Sequence, residues 1–341
     1  MSERTLTAPR GLSLSALLAR GWAWLFLVLL VIFFELWSRL SFGASFIFNA
    51  TNLQSIGVFT VEPLLLALGQ TFVIIAGGID LSVGFVMGLS TVLMAQAIRL
   101  TEPAIGGDMA FLLGALVALA GAAFPGLVNG LLISRLRVPP FIGTLGMYGI
   151  ARGAGFLAAA GTTVPVNNAP LFVLGNGSVA GVPVPVIVTG VAVLALHYLL
   201  SDTKFGQYTY AIGGSRPAAE RAGIDVGRHT LLLYVLAALC AALGGIIYTA
   251  RFSAGAAQAG EPLLLDSIAA VVIGGASLFG GSGTVIGTLI GALIVAVIQY
   301  GLVFINVVPF WQFIAVGVVI IVSVVVDQSQ AALVAGARTD E

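Results

Sequence analysis

Residues 55–76 read SIGVFTVEPLLLALGQTFVIIA, and residues 77–84 that follow read GGIDLSVG. The first stretch is apolar almost throughout and, at about 1.5 Å of rise per residue, is long enough as a helix to cross the hydrocarbon core of a bilayer. The second stretch breaks it. Paired glycines at Gly77 and Gly78 let the backbone turn sharply or approach a neighbour closely. Asp80 can then accept hydrogen bonds from the amides that open the next apolar run. Two placements fit this segment: a turn at the cytoplasmic surface capped by Asp80, or a discontinuous helix lining a path through the membrane. In either case, backbone groups freed by the break need partners within the protein or in a wet cavity.

Working outward, similar runs occur at 21–37, 82–98, 109–134, 140–159, 182–200, 229–250, 265–278, 284–304 and 308–326. The sequence therefore predicts an all-α, polytopic membrane protein of about ten transmembrane helices. Composition agrees. The 341 residues are 59% hydrophobic and 8% charged, and mean hydropathy is +1.10. A soluble domain carries about a quarter charged residues, so soluble, disordered, coiled-coil and nucleic-acid-binding classes are excluded. A single cysteine, Cys240, rules out an intramolecular disulfide.

Net charge is zero, with 14 basic and 14 acidic residues, but the bases are unevenly placed. With the N-terminus in the cytoplasm, Arg4, Arg10, Arg20, Arg135, Arg137, Lys204, Arg216, Arg221, Arg228 and Arg338 fall inside. Arg39, Arg99 and Arg251 fall outside, and Arg152 lies within a span. This positive-inside bias puts both termini in the cytoplasm. The expected organisation is a tail at 1–20, a membrane domain at 21–327 and a tail at 328–341. The first run reads as a retained anchor, because Glu35 to Arg39 follows it without a small-residue cleavage site.

Two connections are long. Residues 161–181 are uncharged and face outside, where 162–168 and 176–178 form a polar rim suited to an external partner. Residues 201–228 carry four bases and face inside. Within them Ser215 can cap a short helix, Pro217 fits its first turn and Gly223 can end it.

No catalytic site is visible. The only lysine, Lys204, is not in a phosphate-cradling Gly-Lys-Ser/Thr loop, and His197 and His229 are too few for a histidine-based zinc site. No metal ligand set is expected. Charges and polar groups inside spans mark candidates for a translocation path or gate. Glu62 and Arg152 lie at similar depth and are expected to share a polar site near the outer face, as an ion pair. Glu62 on an outward-facing wall is the alternative. Gln70, Asn129, Thr144, Tyr148 and Gln299 are further candidates, with interhelical hydrogen bonding as the competing role. The pairs Gly149/Gly153 and Gly287/Gly291 suit close helix packing.

A second glycine-rich break occurs 197 residues after the first, as GGASLFGG at 274–281. Gly77, Gly78, Leu81 and Gly84 align with Gly274, Gly275, Leu278 and Gly281, which reads as a parallel internal repeat. Ser277 stands where the first copy has Asp80. The six glycines Gly77, Gly78, Gly84, Gly274, Gly275 and Gly281 are the expected helix breaks.

The motif GGIDLSVG at 77–84 resembles the signature of sugar-type ABC importer permeases, the ribose, xylose, galactofuranose and inositol permease family. The segments TKFGQYTYAIGG (203–214), AAERAGI (218–224), LDSIAAVVIGG (265–275) and LFGGSG (278–283) resemble the same family, and together the matches extend over about 50–328. Two departures are visible: Ser215 stands where the family usually has Asn, and Glu261 is separated from Asp266 where the family usually places Glu-Leu directly before it. The resemblance implies a type II importer architecture, like that of vitamin B12 permeases. It implies a second permease subunit, as homodimer or heterodimer. It also implies cytoplasmic ATP-binding subunits carrying ATP and Mg, and a periplasmic or extracellular sugar-binding protein. It makes Ser215, Arg216, Pro217, Ala218, Ala219, Glu220, Arg221 and Gly223 the helix that couples to the ATPase, and it places the chain in a bacterial plasma membrane. The rival class is a secondary transporter driven by an ion gradient, which favours acids at the membrane midplane.

Overall fold

A computed structural model describes residues 14–308, 310–319, 321–322 and 325, with side chains from Gly21 onward. Arg4, Arg10, Arg338 and the tail expected at 328–341 lie outside the described residues. In chain order the helices are α1 (Leu14–Phe42), α2 (Ala50–Ile75), α3 (Val83–Ile105), α4 (Gly107–Ser134), α5 (Pro140–Ala158) and α6 (Ala169–Asn176). They continue as α7 (Val184–Ser201), α8 (Lys204–Gly214), α9 (Arg216–Arg221), α10 (Val226–Phe252), α11 (Glu261–Ile273) and α12 (Val285–Phe304). Phe310–Val319 is a further short apolar helix. Among the described residues, seven helices are long and apolar enough to cross a membrane: α1 from Gly21, α2, α3, α4, α7, α10 and α12. Of the three other expected spans, α5 is 19 residues long but diluted by five glycines and Arg152. The expected eighth span shortens to the 13 residues of α11, because its last residues turn at Gly274 and Gly275. The tenth is described mainly as Phe310–Val319.

The helix ends follow local chemistry. Asn49, Asn168, Thr203, Ser215, Asp225 and Thr284 each cap a helix N-terminus with a side-chain oxygen. Pro140 opens α5, where its missing N–H costs nothing. The outer loops hold more order than expected. α6 forms within 161–181, and two short antiparallel pairings flank it: Val164–Pro165 with Ala254–Gly255, and Ser178–Val179 with Val182–Pro183.

α2, α3 and α10 are the most buried spans, whereas α1, α4 and α7 face outward over much of their surface. Lipid removes the hydrophobic drive between helices, so close backbone approach at small residues holds them together. A Cβ on Gly130 would lie 2.8 Å from the Leu231 Cα, which shows how tightly α4 sits on α10. The two expected packing motifs behave differently. Gly287 and Gly291 meet the backbone of Gly274 and Ala270, while Gly149 and Gly153 face open space.

Both breaks are present, with an offset. After α2, Gly77 takes a φ of +81° and donates to Ile74 O, while Gly78 donates to Val73 O. After α11, Gly275 takes a φ of +87° and donates to Val272 O, while Ala276 donates to Val271 O. These are the same helix-ending turns. Gly77 is therefore equivalent to Gly275 rather than to Gly274, one residue from the alignment expected. Gly84 and Gly274 do not turn the chain; they allow backbone approach to Gly260 and Gly287 respectively.

The two breaks meet each other and a third glycine pair, Gly213 and Gly214, at the end of α8. Gly281 N–H donates to Ile75 O at 2.8 Å, and Tyr210 Oη donates to Gly283 O at 2.7 Å. Burial pushes the Tyr210 pKa up, which keeps the phenol a donor. A Cβ at Gly213 would fall 1.8 Å from Ile75 O, whereas one at Gly214 would meet nothing within 4 Å. Gly213→Ala is expected to lower stability by about 1–3 kcal/mol, the usual cost of overpacking. Gly214→Ala is its control and should melt with the parent protein in a detergent thermal-shift measurement. Equal melting of the two variants would contradict the junction.

Candidate functional site

The polar candidates separate into two groups. At the end of α2 opposite its N-terminal loop, Gln70, Asp80, Ser82 and Asn129 form a buried network. Gln70 Nε2 donates to Asp80 O, and Asp80 Oδ1 accepts from the backbone N of Ser82 at 2.8 Å and from its hydroxyl at 2.6 Å. Asn129 Nδ2 donates to Ser82 Oγ at 2.9 Å, bringing in α4. Thr144 is buried beside them and donates to Pro140 O at 2.9 Å. Asp80 is 1% exposed, so it holds the turn before α3 from inside the protein and is not a surface cap. These side chains join α2, α3 and α4, and line none of the larger cavities.

Glu62 and Gln299 belong to the second group. Glu62 sits within α2 beside Pro63, 4% exposed, and both its oxygens accept from Nη1 of Arg251, at 2.6 and 2.7 Å. The expected partner was Arg152. That residue lies instead on the open face of α5, with its guanidinium 5.3 Å from the Phe85 ring, which Tyr148 meets edge-on at 4.6 Å. Arg251 is the partner the sequence reading missed, because its position one residue past an expected span reads as an interfacial base. A signal was present: Glu62 needed a cation, and Arg39, another of the outer bases, bonds Glu35 at 2.6 Å.

Around this pair lies a cavity of about 640 Å3 between α2, α10, the start of α11 and α12. Phe59, Tyr248 and Phe252 supply aromatic rings to it, and Gln258, Glu261 and Gln299 supply polar groups. Gln299 Nε2 donates to Asp266 Oδ2 at 2.8 Å, so α11 and α12 are pinned at its floor. Glu261 and Gln258 are exposed at its mouth. A charge facing hydrocarbon costs about 3 kcal/mol, so the mouth opens onto water or another chain.

The basic loop has the geometry expected of it. Ser215 ends α8 and caps α9, accepting from Ala218 N at 3.4 Å, with Pro217 in the first turn. Gly223 follows the helix at a φ of +82°. α9 is six residues long, under two turns. It exposes Arg216, Pro217, Ala218, Glu220 and Arg221 and buries Ala219 with Ile212, Val226 and Ala76. Among the described residues no group of His, Cys, Asp and Glu could hold a metal ion.

Seven membrane-length helices among the described residues and an open cavity holding a buried ion pair fit a polytopic membrane protein. A family model described as a branched-chain amino acid transport system permease component matches residues 52–324, and the chain belongs to that permease family. Its relatives include the ribose import permease protein of Escherichia coli, 39% identical over 83% of this chain and 87% of the relative. The ribose import permease protein of Bacillus subtilis is 41% identical over 79% and 82%. The fructose import permease protein of Rhizobium meliloti is 39% identical over 76% and 72%. No solved structure matches the chain.

Removing one member of a buried ion pair strands the other. Glu62→Gln is expected to cost about 3 kcal/mol, the low end for such pairs, because a fifth of the Arg251 side chain is exposed. Exchange of the pair (Glu62→Arg with Arg251→Glu) should recover part of the melting temperature, and Glu62→Arg with Arg152→Glu should recover none. Rescue by the second exchange would restore the pairing first expected.

Proposed function

We propose that the chain is the membrane-spanning subunit of an ATP-driven, binding-protein-dependent importer of a monosaccharide or polyol. It forms the translocation path and hydrolyses nothing itself. Family membership and relatives named for ribose and fructose import support this reading. The local observation that carries it is α9, a capped helix with polar residues exposed and Ala219 buried in a small cluster with Ile212 and Val226, against which Ala76, directly before the break after α2, also packs. A partner pressing on α9 acts through that cluster on the end of a membrane helix.

In the full assembly two such subunits pair, and two cytoplasmic ATP-binding subunits carry ATP and Mg. A sugar-binding protein delivers substrate from outside. The architecture is the ten-span, type II kind, in a bacterial plasma membrane with both termini cytoplasmic. Tails at 1–20 and 328–341 flank a membrane domain at 21–327, and 201–228 is the coupling loop. Gln70, Asp80, Asn129, Thr144, Tyr148 and Arg152 then act on the path mainly by setting helix positions.

The family description names branched-chain amino acids, so the substrate class needs its own argument. A zwitterion requires a free cation and a free anion. Glu261 at the mouth offers an anion, but Arg251, the one cation among the described residues lining the chamber, is already neutralised by Glu62. A neutral polyhydroxylated ring needs neither. The test is uptake by the assembled importer in proteoliposomes. Sugar import should require ATP, stop with vanadate and ignore excess L-leucine. Glu220→Arg with Arg221→Glu should cut transport at least about tenfold, equivalent to about 1.4 kcal/mol of coupling, without lowering the amount of protein in the membrane. Uptake driven by an ion gradient with this chain alone would overturn the proposal.

A further inference from the structure

A second cavity adjoins the chamber. It measures about 500 Å3 and is lined by uncharged polar side chains, among them Thr51, Gln54, Ser55, Asn176 and Ser178. It shares two residues with the chamber of about 640 Å3: Phe59 and Arg251. Both volumes fall in the range of small-ligand sites, about 300–1,000 Å3. The guanidinium of Arg251 therefore stands as a partition between two polar compartments. Only its Nη1 is bonded, to Glu62 and more weakly to Val58 O at 3.5 Å. Nε and Nη2 keep donors without a protein partner.

We infer that these two compartments are one binding site for a neutral sugar, in which Arg251, held by Glu62, bonds hydroxyls from both sides. The inference rests on the import reading above. The chemistry runs as follows. Glu62 cancels the charge of Arg251 and fixes its plane, leaving planar donors for hydroxyl oxygens. The pair is close to neutral, so hydroxyl oxygens can take the open Nε and Nη2 donors while Glu62 stays in place. Phe59 flanks both compartments, and the rings of Tyr248 and Phe252, 4.6 Å apart, give the inner one an apolar wall for the C–H face of a ring. Hydroxyl and amide side chains without charge line the outer compartment, which suits loose capture and release.

The test is protection from alkylation in the assembled importer. Ser55→Cys reports on the outer compartment and Leu263→Cys on the inner, each with Cys240→Ala, since the native thiol is buried. N-ethylmaleimide is the reagent; D-ribose, D-fructose, D-allose and L-leucine are the probes. At least one sugar should slow alkylation at both positions, and L-leucine at neither. The double variant Glu62→Gln with Arg251→Gln removes both charges together and so avoids a stranded ion. With alkylation scaled to its own rate without sugar, it should need at least about tenfold more sugar for protection. Unchanged protection in that variant overturns the role of Arg251. Protection at only one cysteine overturns the single two-compartment site. If a sugar is imported but protects neither position, this site is wrong and the import reading stands. If L-leucine protects and no sugar is imported, the import reading itself fails.

Discussion

Within a bilayer, a peptide group that leaves a helix has no water to bond with, and this governs how the chain can be interrupted. The interruptions after α2 and α11 are each closed by their own turn hydrogen bonds, and they then donate to one another: Gly281 N–H reaches Ile75 O. Gly213 brings α8 into the same contact at a distance only a glycine allows. Three loops thus satisfy their backbone groups together, and the burial of Asp80, the seat of α9 and the start of α12 all depend on that convergence.

The middle of α2 meets the same constraint with side chains. Glu62 is tolerable at 4% exposure because Arg251 bonds both its oxygens, and this joins α2 to the end of α10. One helix therefore carries a backbone junction at its end and an ion pair halfway along. Whatever tilts α2 at Ala76 is felt at the chamber, because few of the intervening residues from Val61 to Ile75 have room to yield. Packing this tight transmits displacement instead of absorbing it.

Much of the fold was legible because membrane helices announce themselves locally. Apolar runs and the Ser215, Pro217 and Gly223 sequence of α9 depend on neighbours within a few residues. What was not legible lies far apart in the chain. Arg251 is 189 residues from Glu62, and nothing local distinguishes it from any interfacial arginine. Two placements stayed open for Asp80 because the side chain that closes over its turn, Asn129, reaches Ser82 from 47 residues away in α4. The repeat was visible as glycines, yet its register was not, since the turn is defined by which glycine takes positive φ rather than by where two glycines stand. α6 escaped notice because eight residues capped by Asn168 carry too little apolar pattern.

Ser215 ends α8 with its backbone and begins α9 with its hydroxyl. With one residue serving both, there is no slack segment between the two helices, only a single pair of torsions. The arrangement is that of an elbow, in which a push on α9 can rotate the forearm but cannot be taken up as stretch. A displacement of α9 would then turn the joint by an amount set by its geometry, with no loose chain to absorb it.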